Sequence, residues 1–164
     1  MFKALKELLD NIAAQVAPAS QISREHSTHL ATAVLLIEVM RADTSKTADE
    51  RSTAVTALRT RFSLTPVEGD TLLNLAESTA NRAGDYHAFT SSLNAHFTHT
   101  EKIGLVESLW QVAYADAHLD AAENHAINKI AGLLHVTHGE YIGAKMRAKE
   151  AAGLLQPAAA APLR

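Results

Sequence analysis

Two stretches decide the reading of this chain: MRADTSKTADERSTAVTALRTRFSLTPVE at residues 40–68 and AYADAHLDAAENHAINKIAGLLHV at residues 113–136. Each opens on the end of an apolar-periodic segment. An acidic break follows, and then a second segment with helical spacing. Thr47 and Asp120 stand 73 positions apart, and Thr65 and Thr137 stand 72 apart. At a shift of 73, Ala33, Leu36, Ile37, Val39, Ala42 and Asp43 fall on Val106, Leu109, Trp110, Val112, Ala115 and Asp116. At a shift of 72, Phe62 and Leu64 fall on Leu134 and Val136. The chain reads as an internal duplication with one residue lost after the acidic break.

Working outward, the apolar periodicity predicts helices over residues 22–42, 48–62, 66–82, 86–97, 101–115, 121–134 and 138–149. A further amphipathic helix is expected over residues 1–16, with Phe2, Leu5, Leu8, Leu9 and Ile12 on one face. Its balanced charges, Lys3, Lys6, Glu7 and Asp10, favour docking on protein over lying on a bilayer. The tail over residues 151–164 is rich in alanine and proline and is expected to be disordered. Helix starts are marked by Thr47–Glu50, Thr65–Glu68, Asp120–Glu123 and Thr137–Glu140, each a capping box or its aspartate equivalent. Asn74–Glu77 matches the same pattern inside a predicted helix, so the pattern alone is weak. The expectation is an all-α, single compact domain of seven to eight helices. Residues 20–150 form its body, with repeat halves at about 25–82 and 98–150.

Composition agrees. Apolar residues make up 47 % of the 164 and aromatics only 5 %, so packing falls to alanine and aliphatic side chains on helices. There is no cysteine, which excludes disulfides, thiolate catalysis and zinc–thiolate sites. A net charge of -3 argues against a nucleic-acid binder. No apolar run approaches the roughly 20 residues needed to span a bilayer, and the charge-interrupted start is no signal peptide; a cytoplasmic location is expected.

The chemistry gathers in the two breaks. Asp43 and Asp116 stand at helix C-termini, where the dipole disfavours a carboxylate by roughly 0.3–1 kcal/mol. Glu50 and Glu123 follow seven residues later, in the first turn of the next helix. A cation bridging the carbonyls, the aspartate and the glutamate would relieve the mismatch, and hard oxygen donors suit calcium, magnesium or manganese. Asp116-x-His118-Leu119-Asp120-x-x-Glu123 has the form of the latter part of an EF-hand loop, but Val112 and Tyr114 occupy the preceding ligand positions. His118 is a candidate auxiliary ligand or pH-sensitive neighbour. The competing reading makes Asp120 and Glu123 helix caps and leaves Asp116 to accept loop amides.

The paired breaks resemble the TerB (tellurite resistance protein B) family, over about residues 25–150. That resemblance implies an all-α fold and acidic clusters that bind metal ions. It also implies links to stress response, membrane-associated complexes and co-chaperone modules. It carries over to Asp43 and Glu50 in the first half, and to Asp116, Asp120 and Glu123 in the second. Thr44 and Ala117 stand where the family has turn glycines, and Thr47 replaces its second aspartate.

The other candidates are weaker. His26/His29, His96/His99 and His135/His138 are each spaced by three, but two imidazoles do not complete a zinc site. Trp110 and Tyr114 share a helical face and read as core. Arg51, Arg59 and Arg61 read as a solvated face. There is no nucleophile elbow, phosphate-cradling glycine loop or HExxH, so no catalytic residue and no organic cofactor is assigned. The expected function is a non-enzymatic scaffold or stress-response module whose acidic turns bind a divalent cation (calcium, magnesium, manganese or zinc) or a basic partner protein. The alternatives are a purely structural interaction domain and a metal-dependent hydrolase.

Overall fold

A helix that is apolar on every side has to be surrounded, and the segment from Ala31 to Met40 is of that kind. Every residue in it except Glu38 is buried. In the computed structural model this segment lies within α1, Ala19–Ala42. The structure describes residues 19–42, 48–82, 86–115, 119 and 121–153, without the side chains of residues 19–24 and 26. The helix expected over residues 1–16 therefore lies outside the described residues, as does the tail from residue 154.

Six more helices follow among the described residues: α2 Ala48–Phe62, α3 Pro66–Arg82, α4 His87–His96, α5 His99–Ala113, α6 Ala121–Leu133 and α7 His138–Ala151. No described residue is in a strand. The expected boundaries agree to within three residues. α1 starts three residues earlier than expected and α5 two earlier, while α7 runs on to Ala151.

α1 packs against α2, α3, α4, α5 and α6. Its counterpart α5 is the second wrapped helix, with Leu105, Val106, Leu109, Trp110, Val112 and Ala113 all buried. α5 packs most extensively on α7, as α1 does on α3. The cross-packing is reciprocal: α1 touches α6, and α5 touches α2. The duplication read in the sequence is thus a duplication of packing. Ala33 and Val106, Leu36 and Leu109, Ile37 and Trp110, and Val39 and Val112 are buried pair by pair in one core. The halves differ elsewhere. α2 packs along α3, where Gly69 lets them approach (a Cβ there would stand 2.8 Å from Arg59 Cγ), whereas α6 and α7 barely touch.

The turn after α2 is repeated after α6 in hydrogen-bond detail. Leu64 N donates to Arg59 O at 3.1 Å, and Val136 N donates to Ala131 O at 3.0 Å, the closing bond of a Schellman cap in each. Ser63 and His135 occupy the left-handed position, with φ of 55° and 61°. Then Thr65 and Thr137 open the next helices as capping boxes with Glu68 and Glu140. A third box, Thr98–Glu101, opens α5. Its Thr98-His-Thr-Glu101 sequence has the same capping-box form as the Thr65 and Thr137 starts. Asn74–Glu77 lies inside α3, so it starts nothing. The Thr47 and Asp120 starts lie outside the described residues.

Glu140 does more than cap. Its two carboxylate oxygens lie 2.9 and 2.8 Å from His99 Nε2, which donates to them and ties the start of α7 to the start of α5. The Thr137 backbone and hydroxyl, with His99, hold the Glu140 carboxyl below the usual range.

Two outcomes are expected. Ser63→Gly and His135→Gly should each raise stability by about 0.5–1 kcal/mol, seen as a higher Tm, because glycine removes the Cβ penalty at a left-handed cap. Glu140→Gln should destabilise most at neutral pH. A depressed carboxylate pKa contributes stability above the unfolded value of 4.5 that is lost as pH falls through the lower folded value. The gap between wild type and variant in urea unfolding should therefore close below that pH.

Candidate functional site

The acidic breaks join α1 to α2 and α5 to α6. Asp43, Asp116, His118 and Asp120 lie outside the described residues. Glu50 and Glu123 are described, and they hold the same place in each half, the third residue of α2 and of α6. The sequence predicts that each carboxylate meets a favourable helix dipole in a first turn. The structure adds that both side chains are 0 % exposed. This sets them apart from the capping glutamates. Glu101 is exposed, and Glu68 and Glu140 are half-buried. Taking a carboxylate out of water costs several kcal/mol, so a buried one needs a cation, hydrogen-bond donors or a proton to compensate.

The start of α2 and the end of α5 meet. Asp49, one residue before Glu50, lines an open depression of about 570 Å³ together with Ala115, the residue before Asp116. Thr53, Gln111, Tyr114 and Ala148 also line it, with Ala151 and Ala152 at the end of α7. The described flanks of the two breaks are therefore neighbours. The donors in question are carboxylates, one imidazole and backbone carbonyls, with no thiolate. That chemistry suits a hard divalent cation. Among the described residues, no three His, Asp or Glu side chains gather to hold a metal.

Below the depression lies an aromatic group. Trp110 stacks on Tyr114 with centroids 5.8 Å apart and tilts against Tyr141 at 5.4 Å. Lys145 Nζ sits 4.9 Å from the Trp110 ring centroid, within cation–π range. Burial raises the Tyr114 phenol, and burial with Tyr114 nearby raises that of Tyr141, so both stay protonated at neutral pH. The expectation that Trp110 and Tyr114 are core holds.

Two of the three histidine pairs are split between elements, while His26 and His29 both lie on α1, the His26 side chain outside the described residues. His96 ends α4 while His99 begins α5, and His135 sits in the turn before α7 while His138 starts it. His96 Nδ1 lies 2.8 Å from Ser92 O, and His29 packs on Phe62 with centroids 3.9 Å apart. The arginines of α2 are tied to neighbouring elements and do not form one solvated face. Arg51 donates to Asp70 at 2.9 Å and Arg61 to Ser108 at 3.2 Å, while Arg59 donates to Leu64 O at 3.4 Å.

What the sequence left unread was the burial of Glu50 and Glu123. Its one signal was their register: both fall at the shift of 73 that also aligns the core residues.

No helix of the described residues is long and apolar enough to cross a membrane. Neither the curated proteins nor the solved structures contain a match to this chain. A family model does: that of tellurite resistance protein TerB matches residues 29–146, from the buried half of α1 to the middle of α7 and across both acidic breaks. With more than two thirds of its length matched, this all-helical chain belongs to the TerB family.

Proposed function

We propose that this TerB-family domain is a non-enzymatic scaffold or stress-response module that binds a divalent cation at its acidic turns. The observation that supports this most is the complete burial of Glu50 and Glu123 at equivalent first turns, where ordinary capping glutamates of the same molecule stay at least partly in water. A carboxyl group held out of water needs compensation, and a cation at the turn is one form that it takes. In this reading Asp43 and Glu50 serve the first turn. Asp116, Asp120 and Glu123 serve the second, with His118 as an auxiliary donor. Calcium, magnesium and manganese suit the oxygen donors, and zinc is the softer alternative.

The meeting of α2 and α5 at one depression supports action of the two turns as a unit, and a cation there would set how those helix ends present themselves to a partner. A basic protein surface, free or within a peripheral membrane-associated complex, would engage the same negative charge. The domain works in the cytoplasm in this reading.

Isothermal titration of calcium, manganese and zinc into wild type, Asp116→Ala and Glu123→Gln should show binding to wild type and a loss of about tenfold or more in affinity in each variant, the scale set by about 1.4 kcal/mol per lost ligand. Absence of heat and of any Tm shift at millimolar metal would remove the cation and leave the basic partner.

A further inference from the structure

The depression beside the acidic breaks continues along the molecule. Thr53 of α2 and Gln111 of α5 line it, and both also line an open groove of about 610 Å³ that runs on between the two helices past Thr56, Thr60 and Ser108. The corresponding surface of the other half is closed. Glu107 and Ser108 of the groove match Val34 and Leu35 of α1 at the shift of 73, and these are wholly buried. There α4 packs on both α1 and α6.

The charges along this trough differ from end to end. At the groove end they are already matched. Arg61 donates to Ser108 at 3.2 Å, Glu107 accepts from Arg147 at 3.0 Å, and Glu101 closes the Thr98 capping box. At the depression end Asp49 is exposed, with no ion pair or side-chain hydrogen bond among the described residues. No residue lining the depression is basic. Lys145, three residues before Ala148, lies over the Trp110 ring instead. The C-terminal ends of α5 and α7 border the same space, and both are partly negative. Tyr114 lines it while only 5 % exposed, and its hydroxyl has no hydrogen-bond partner among the described residues.

We infer that the trough is a docking site for an extended segment of a partner protein, and that an arginine side chain of that segment seats in the depression between Asp49 and Tyr114. This rests on the engagement of a basic protein surface proposed above, and it names the residue and its seat. The acceptors come from separate elements: the Asp49 carboxylate on α2, the Gln111 carboxamide oxygen and Tyr114 hydroxyl on and after α5, and the last carbonyls of α5 and α7. A guanidinium, flat, always charged and with five N–H donors and no acceptor, matches such a set. A space of about 570 Å³ with one carboxylate suits a side chain better than a bare ion. The hydroxyls of Thr53, Thr56 and Thr60 then meet the main chain that follows the arginine along the groove.

The test is an amide chemical-shift titration of the full chain, at low salt with chelator present so that no metal contributes. The probes are the peptide acetyl-GSARASG-amide, the same peptide with neutral citrulline for arginine, and N-acetylarginine amide. The arginine peptide should bind with a Kd of about 1 mM or tighter and move the amides of Asp49, Gln111 and Tyr114 together with those of Thr56 and Thr60. Citrulline and Asp49→Asn should each weaken binding about tenfold, and Tyr114→Phe about threefold, with Tm unchanged in both variants. N-acetylarginine amide should bind about tenfold more weakly than the peptide and leave Thr56 and Thr60 unmoved. Equal binding of the citrulline peptide, or unaltered affinity in Asp49→Asn, would overturn the arginine seat. Equal affinity for N-acetylarginine amide would overturn the polypeptide partner and leave a small-molecule seat. Shifts confined to Ala121–Glu123 would overturn the seat and keep a basic partner, whereas no shift at about 10 mM of any probe would remove both.

Discussion

The architecture depends on two helices that cannot face water. The second half of α1 has no polar side to offer, and α5 keeps only a strip with Glu101, Glu107 and Gln111 outside its buried face, so each must be enclosed by other helices of the chain. One copy of the repeat supplies too few helices to enclose its own central helix. The halves solve this by exchange: α6 leans on α1, and α2 leans on α5. Neither half is a domain, and the single continuous core that results explains why the repeat is a pair and not an open array.

That exchange also places the flanks of the acidic breaks. Each turn connects a central helix to the helix that crosses over to the other half. Closing the core therefore draws the start of α2 to the end of α5, which is why Asp49 and Ala115 face the same depression. The same closure carries Glu50 and Glu123 out of water, whereas Glu68, Glu101 and Glu140, also the third residues of their helices, keep contact with it. A first-turn carboxyl group, harmless on an isolated helix, becomes a buried polar group by the act of assembly.

Where the halves have diverged, the differences are as informative as the matches. The turns after α2 and α6 keep the same closing bond, left-handed residue and threonine cap although their sequences are SLT and HVT. Geometry, not residue identity, was retained there. At the helix crossings the reverse occurred. The surface under α4 stayed aliphatic, while its counterpart acquired glutamates, an arginine and hydroxyls.

Helix number, boundaries and duplication were legible in residues 19–153 because they rest on local chemistry: apolar spacing, caps and breaks, all read along the chain. TerB membership followed from the same paired acidic breaks. The residue types of the candidate site were legible too, as an aspartate and a glutamate seven apart, twice. Their surroundings were not. The burial of Glu50 and Glu123, the splitting of His96 from His99 onto separate helices, and the tethering of Arg51 and Arg61 to other helices all depend on partners distant in the chain. The sequence determined by itself which segments are helices and that they come in two sets. Only the tertiary structure decided which charges left water, because desolvation is set by what packs on a residue and not by its neighbours in the chain.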